Sequence, residues 1–268
     1  MTELLEMFHK SRFLSVKHIN YFKIYENILT KYKKKKIIFV EIGVLNGGSL
    51  FMWRKFFGKK ARIIGIDINP KAKIFEKHGF EIFIGDQSDE GFWKYFFKKI
   101  GKVDIILDDG GHTNKQQIFT FINCIKKIKD NGSLIIEDTH ASYQRQFGNP
   151  QRYSFINFAK KTIDDINSRF SGLKNFARSY SKYVYSICFF ESIVCFNINK
   201  SLCKKNYLIK NKGINLNHED LRYLNKKNNI YKKFINYLSN SNFNFILKLY
   251  LIIKNKFFIS KKIKHYFY

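Results

Sequence analysis

Val103–Asn114 reads VDIILDDGGHTN and Ser133–Tyr143 reads SLIIEDTHASY. Each is an apolar run that stops at paired acids, Asp108-Asp109 in the first and Glu137-Asp138 in the second, with His112 close behind the first pair. Two such strands joined by a helix form a parallel pair, and an open parallel sheet places its ligands in the crevice beyond the carboxyl ends of its strands. Three or four carboxylates and an imidazole then meet at one edge. Carboxylates so crowded raise one another's pKa or take a cation between them, and an all-oxygen cluster suits a hard ion such as Mg²⁺ or Mn²⁺. The same acids can instead be read as caps of the helices that follow.

Upstream, Lys36–Phe57 reads KIIFVEIGVLNGGSLFMWRKFF: a buried strand over Ile37–Ile42, a glycine-rich turn over Gly43–Gly48, and a helix from Ser49. Glycines let backbone approach a ligand, and a helix N-terminus offers free N–H groups. The spacing is neither the GxGxxG of a dinucleotide site nor a Walker A motif. ARIIGIDINP supplies a second strand with Asp67 at its end, where an acid characteristically meets ribose hydroxyls. A third strand, Glu81–Ile84, runs into GDQSD, whose Asp86 and Gln87 are in reach of an adenine ring. Together these outline a nucleoside ligand along strands one to three, beside the carboxylates of strands four and five.

On YFKIYE, EIGVLNGGS, GIDINP, GDQSD, LDDGGH and EDTHASY, in that order between Tyr21 and Tyr143, the chain resembles the class I S-adenosylmethionine-dependent methyltransferases. It is most similar to the metal-dependent sugar O-methyltransferases of macrolide-antibiotic pathways and their relatives in surface-polysaccharide gene clusters. The resemblance implies an α/β fold, a Rossmann-like doubly wound seven-stranded sheet, mostly parallel with a C-terminal antiparallel hairpin. It implies S-adenosylmethionine and Mg²⁺ (or Mn²⁺) as cofactors, Asp109, Glu137 and Asp138 as metal ligands, and His112 as general base. Cofactor contacts carry over to Glu41, Gly43, Gly47, Ser49, Asp67, Asp86, Gln87 and Asp108. Gly111 stands where relatives usually have Ser, and the large N-terminal domain of some members has no counterpart here.

The 268 residues are expected to divide into an N-terminal helical segment (1–35), a Rossmann-like methyltransferase domain (36–199) and a basic, mainly helical extension (200–268). In the first segment Tyr21 and Tyr25, four apart, share a helix face and read as an aromatic core stripe, with a pocket-lining tyrosine as the alternative. Asp164 and Asp165 read as an exposed helix face, and SYQRQFGNPQR as a candidate lid. KYVYSICFFESIVCFNINK reads as two strands around a turn at Glu191-Ser192. Cys124, Cys188, Cys195 and Cys203 lack metal-site spacing and read as small core residues in a reducing compartment. The N-terminus has no apolar signal region and no run reaches the ~18 apolar residues of a membrane span, so a cytoplasmic location is expected.

The formal charge is +28, which points to an anionic partner or reflects a lysine-rich composition throughout. Half of it lies from Lys200 onward, where sixteen Lys and Arg stand against Glu219 and Asp220 alone. Phe245–Ile259 there could pack on the domain, pair with a second copy in a homo-oligomer, or make peripheral membrane contact. The expected function is Mg-dependent O-methyl transfer to a sugar or nucleotide-sugar hydroxyl in capsule or surface-polysaccharide biosynthesis. Catechol-type O-methylation and nucleic-acid methylation are the alternatives. LDDGGH stands where base amino-methylating relatives carry an Asn/Asp-Pro-Pro-aromatic motif, which argues against a nucleic-acid partner.

Overall fold

The computed structural model describes residues 2–148, 152–170, 179–216 and 218. Its centre is a seven-stranded sheet built from β1 (Ile38–Ile42), β2 (Arg62–Asp67), β3 (Glu81–Ile84), β4 (Val103–Asp108), β5 (Ile128–Ile136), β6 (Val184–Phe190) and β7 (Ile193–Ile198). The spatial order is β3-β2-β1-β4-β5-β7-β6. Strands β1 to β5 pair in parallel, β7 runs antiparallel to β5, and β6 antiparallel to β7. Six strands therefore share one direction and β7 opposes them. The expected doubly wound sheet with its closing hairpin is what the chain forms.

Helices α3 (Gly48–Phe57), α4 (Glu90–Ile100), α5 (Asn114–Cys124) and α6 (Phe155–Asn167) follow the strands, and α1 (Glu3–His9) and α2 (Tyr21–Leu29) precede them. Side chains alternate across each strand, so two cores form. Phe39, Ile63, Ile105, Leu107 and Ile135 pack with α1, α2 and α3 on one face, whereas Val40, Ile64, Ile106, Leu134 and Ile136 pack with α4, α5 and α6 on the other. Cover on both faces explains why the strands read as continuous apolar runs. Polar side chains satisfy helix starts: Thr2 caps α1, Asp89 caps α4, Ser154 caps α6, and Thr113 with Gln116 forms a capping box on α5.

Register places the functional edge. Ile42 pairs with Asp108, and Asp108 with Ile136, so the next residues, Gly43, Asp109 and Glu137, emerge side by side. Asp109 N donates to Ile42 O at 3.0 Å and Glu137 N to Asp108 O at 2.9 Å, extending the ladder one step. The strand order reverses between β1 and β4, the switch point at which such sheets open a crevice.

One expectation is corrected. Asp165 is 1% exposed, because Phe155, Ile156, Ala159 and Thr162 set a buried stripe of α6 that Asp165 continues. All four cysteines are free, Cys124 and Cys195 buried and Cys188 and Cys203 half-buried. Among the described residues no helix is long and apolar enough to cross a membrane. Residues 1–208 and 209–268 form separate compact units. The described part of the second has no regular helix or strand, and the expected amphipathic segment Phe245–Ile259 lies outside the described residues, as do 149–151 of the candidate lid.

Candidate active site

A cavity of about 410 Å³ opens at the carboxyl ends of β1 to β4, within the range of roughly 300–1,000 Å³ usual for small-molecule sites. Its floor is the β1–α3 turn. Gly43 takes φ +89°, and a Cβ there would lie 2.0 Å from Asp109 O, so the turn needs glycine both for conformation and for its approach to β4. Asp67 fixes the turn from β2: Oδ2 accepts from Val44 N and Leu45 N, each at 2.9 Å, and Oδ1 from Asn69 N at 2.8 Å. Leu14, Val16, Leu45 and Ile68 stand 67–79% exposed around the lining. Apolar side chains held in water at a cavity offer contact to a flat apolar group such as a nucleobase.

Of the residues expected to contact cofactor, Gly43, Ser49, Asp67, Asp86 and Gln87 line this cavity. Glu41, Gly47 and Asp108 do not, and each stands behind the turn or loop that does. Glu41 is fully buried beneath the turn, accepting from Ser49 Oγ at 2.8 Å and Trp53 Nε1 at 2.9 Å, and burial lifts its carboxyl to about 7. Gly47 supplies the left-handed cap of α3 at φ +74°, over the ring of Phe75. Asp108 is buried, held by Gln87 Nε2 at 2.9 and 3.0 Å and by Gly110 N at 3.1 Å; burial raises its pKa. Gln87 Oε1 accepts from Gly111 N at 2.9 Å, so its amide organises the loop that carries His112.

Beside the cavity, Asp109, Glu137 and Asp138 converge as expected. They are not caps: Thr113 caps α5, and the Asp138 side chain makes no cap hydrogen bond to the turn Thr139–Tyr143. Their partners come from the N-terminal segment. Lys17 Nζ lies 2.6 Å from Asp109 Oδ2 and 2.8 Å from Glu137 Oε2. Tyr25 donates to Glu137 Oε1 at 2.5 Å, and Tyr21 donates to Asp138 Oδ1 at 2.5 Å, with Ser192 Oγ 2.8 Å from the same hydroxyl. Burial acts to deprotonate Lys17, but Asp109, Glu137 and Glu41 outweigh it and hold the ammonium charged well above the usual lysine range. Burial, and repulsion from Asp109, push the Glu137 carboxyl up against the pull of Lys17. His112 Nε2 faces Asp138 Oδ2 at 3.3 Å, and Asp109, His112 and Asp138 each offer a donor atom within 4.8 Å of the others.

This oxygen-rich set fits a hard divalent cation: Asp109 and Glu137 already gather around a cation, the Lys17 ammonium, and Asp138 lies beside them. Backbone strain concentrates here as well. Leu45, His112 and Asp138 are three of the six non-glycine residues with positive φ among those described, and all three line the cavity. Sequence reasoning missed Lys17 and the strap Leu14–Val16 that lines the cavity. It also assigned Tyr21 and Tyr25 mainly to the core, which they do enter while binding carboxylates at their hydroxyl ends.

The sheet order, the closing hairpin and the glycine turn beside a carboxylate edge define the class I methyltransferase fold. In keeping with this, residues 40–139 match a family described as a methyltransferase domain. A mycinamicin VI 2''-O-methyltransferase of Micromonospora griseorubida is 31% identical over 154 residues, 53% of this chain and 38% of its own length. An 8-demethyl-8-alpha-L-rhamnosyl tetracenomycin-C 2'-O-methyltransferase of Streptomyces olivaceus is 28% identical over 158 residues, 55% of this chain and 41% of its own. The chain thus spans about two fifths of these relatives. Among solved structures, MycE methyltransferase, in complex with Mg, SAH and mycinamycin VI, superposes with TM-score 0.65 at 24% identity, over 74% of this chain and 53% of its own.

Proposed function

We propose that the protein is an S-adenosylmethionine- and Mg²⁺-dependent O-methyltransferase acting on a sugar hydroxyl. The observation that carries this reading is a shared wall: Asp109, His112 and Asp138 line the nucleoside-sized cavity and also belong to the carboxylate centre. S-adenosylmethionine supplies a methyl group activated on a sulfonium, and a divalent ion supplies Lewis acidity toward an acceptor hydroxyl. Asp109, Glu137 and Asp138 would hold the ion.

The chain's own residues do the rest. Asp67 and the Gly43–Ser49 turn hold the nucleoside end, and the Leu45 and Ile68 side chains flank it. His112 Nε2 takes the hydroxyl proton, and Asp138 at 3.3 Å stabilises the imidazolium that results. Proton transfer of this kind is worth about 10²–10⁴-fold. The strap Leu14–Val16 covers part of the cavity and limits access of water.

Relatives named as 2'-O- and 2''-O-methyltransferases of glycosylated products support a sugar as acceptor. A nucleotide-linked or glycan-bound sugar of a surface-polysaccharide pathway suits the +28 charge, which would steer a diphosphate-bearing substrate. The unpaired cysteines suit a cytoplasmic enzyme. The test offers labelled S-adenosylmethionine and Mg²⁺ with nucleotide sugars, total RNA and a catechol. Label on a sugar oxygen, lost on chelation, is expected. Transfer to RNA or catechol with none to sugar would overturn the reading.

A further inference from the structure

Lys17 belongs to the strap Ser11–Asn20 between α1 and α2, which has no helix or strand of its own. At one end the strap is tied to the cofactor turn: Ser11 Oγ donates to Gly48 O at 2.7 Å, and Phe13 O and Leu14 O lie 2.3 and 2.5 Å from where a Gly48 Cβ would stand. Leu14, Ser15 and Val16 then line the cavity, and Lys17, its side chain 2% exposed, ends in the acidic centre. One short strap thus touches both the nucleoside site and the carboxylates.

We propose that the Lys17 ammonium holds the cation position between Asp109 and Glu137, that a divalent ion displaces it, and that its release shifts the strap and so couples metal binding to cofactor binding. This rests on the reading of the acidic centre as a metal site. An ammonium and a divalent ion repel strongly at the few ångströms that the gap allows. Oxygens that hold Nζ at 2.6 and 2.8 Å must close to about 2.1 Å around Mg²⁺. The ammonium has room to shift: a cavity of about 160 Å³ lies at the acidic centre itself, lined by Lys17, His18 and Tyr21 and by the carboxylates Asp109, Glu137 and Asp138. Because Lys17 follows directly on Ser15 and Val16, which line the nucleoside cavity, the two sites share one element, and by linkage each ligand alters the other's affinity by the same factor.

The experiment titrates the full chain with Mn²⁺ followed by electron paramagnetic resonance, with and without S-adenosylhomocysteine, for wild type, Lys17→Met and Lys17→Arg. Hydrogen exchange of residues 11–20 is followed in the wild type. Lys17→Met should bind Mn²⁺ at least tenfold tighter than wild type and lose the effect of S-adenosylhomocysteine on that affinity, while Lys17→Arg stays close to wild type. Mn²⁺ should speed exchange in the wild-type strap, a readout that stands even if Lys17→Met fails to fold. Equal or weaker Mn²⁺ binding by folded Lys17→Met, or strap exchange untouched by Mn²⁺, would overturn the displacement and leave the metal site standing. No Mn²⁺ binding to any of the three proteins would overturn the metal reading and this inference with it.

Discussion

Tyr25 donates its hydroxyl to Glu137 Oε1 at 2.5 Å, joining the middle of α2 to the end of β5 across 112 positions of sequence, with both residues fully buried. Lys17 takes the other oxygen of the same carboxylate. One turn earlier, Tyr21 binds Asp138, so a single face of α2 orients both members of the Glu137-Asp138 pair. The N-terminal segment is therefore part of the acidic centre, supplying the partners of both carboxylates.

Tyr25→Phe removes the hydroxyl and leaves Glu137 Oε1 buried without its donor, at a cost of about 1–3 kcal/mol. Denaturant unfolding should show that loss, and Mn²⁺ titration should show weaker binding because Glu137 is no longer oriented. Unchanged values in both measurements would mean that the hydroxyl contact is inert.

Gly43→Ala and Gly58→Ala separate two effects of positive φ. Gly43, at φ +89°, would drive its Cβ to 2.0 Å from Asp109 O, whereas Gly58, at φ +82°, has nothing within 4 Å. Both changes carry conformational strain of about 1–3 kcal/mol. Only Gly43→Ala must also part β1 from β4, so calorimetry should find S-adenosylhomocysteine affinity reduced at least tenfold there and unaltered in Gly58→Ala. Equal affinities in the two variants would show that the turn is not a cofactor contact.

The strands and the acidic pairs were legible because their signals are local: each apolar run ends directly at its own acidic pair, Asp108-Asp109 or Glu137-Asp138. Lys17 gave no such signal. Its partners lie 92 and 120 positions away, and it is one basic residue among 49. Glu41 and Asp108 stand at strand ends where a ligand contact is expected, yet strand alternation turns them inward, toward Trp53 and Gln87. For Asp165 the signal was present: Phe155, Ala159 and Thr162 mark the buried face of α6, and continuing their spacing separates Asp165 from Asp164.

Glu41 gives a pH dependence with a definite sign. Burial lifts its carboxyl from 4.5 to about 7, so the folded chain binds that proton more tightly than the unfolded chain does. Stability from this group is then complete at low pH and declines as pH rises from about 4.5 through 7, by up to about 3 kcal/mol. Glu41→Gln lacks the titration. Unfolding free energies of the two proteins, compared at pH 5 and pH 8, should move against the wild type by this order as pH rises, and parallel pH profiles would rule the effect out.

His112 is held at φ +57°, next to a glycine, with its ring directed at Asp138. A left-handed backbone costs a residue with a Cβ about 1–2 kcal/mol, which glycine avoids. His112→Gly and His112→Ala both remove the imidazole, but only glycine relieves the backbone, while adding unfolded-state entropy of about 0.5–1 kcal/mol. The glycine variant should therefore be the more stable of the two by up to about 1 kcal/mol, and both should lose about 10²–10⁴-fold in turnover with S-adenosylhomocysteine affinity intact. A more stable alanine variant would show that the position is unstrained. Wild-type turnover in either variant would show that the proton leaves by another group, and a fall in cofactor affinity matching the fall in turnover would place His112 in the nucleoside site rather than at the reacting hydroxyl.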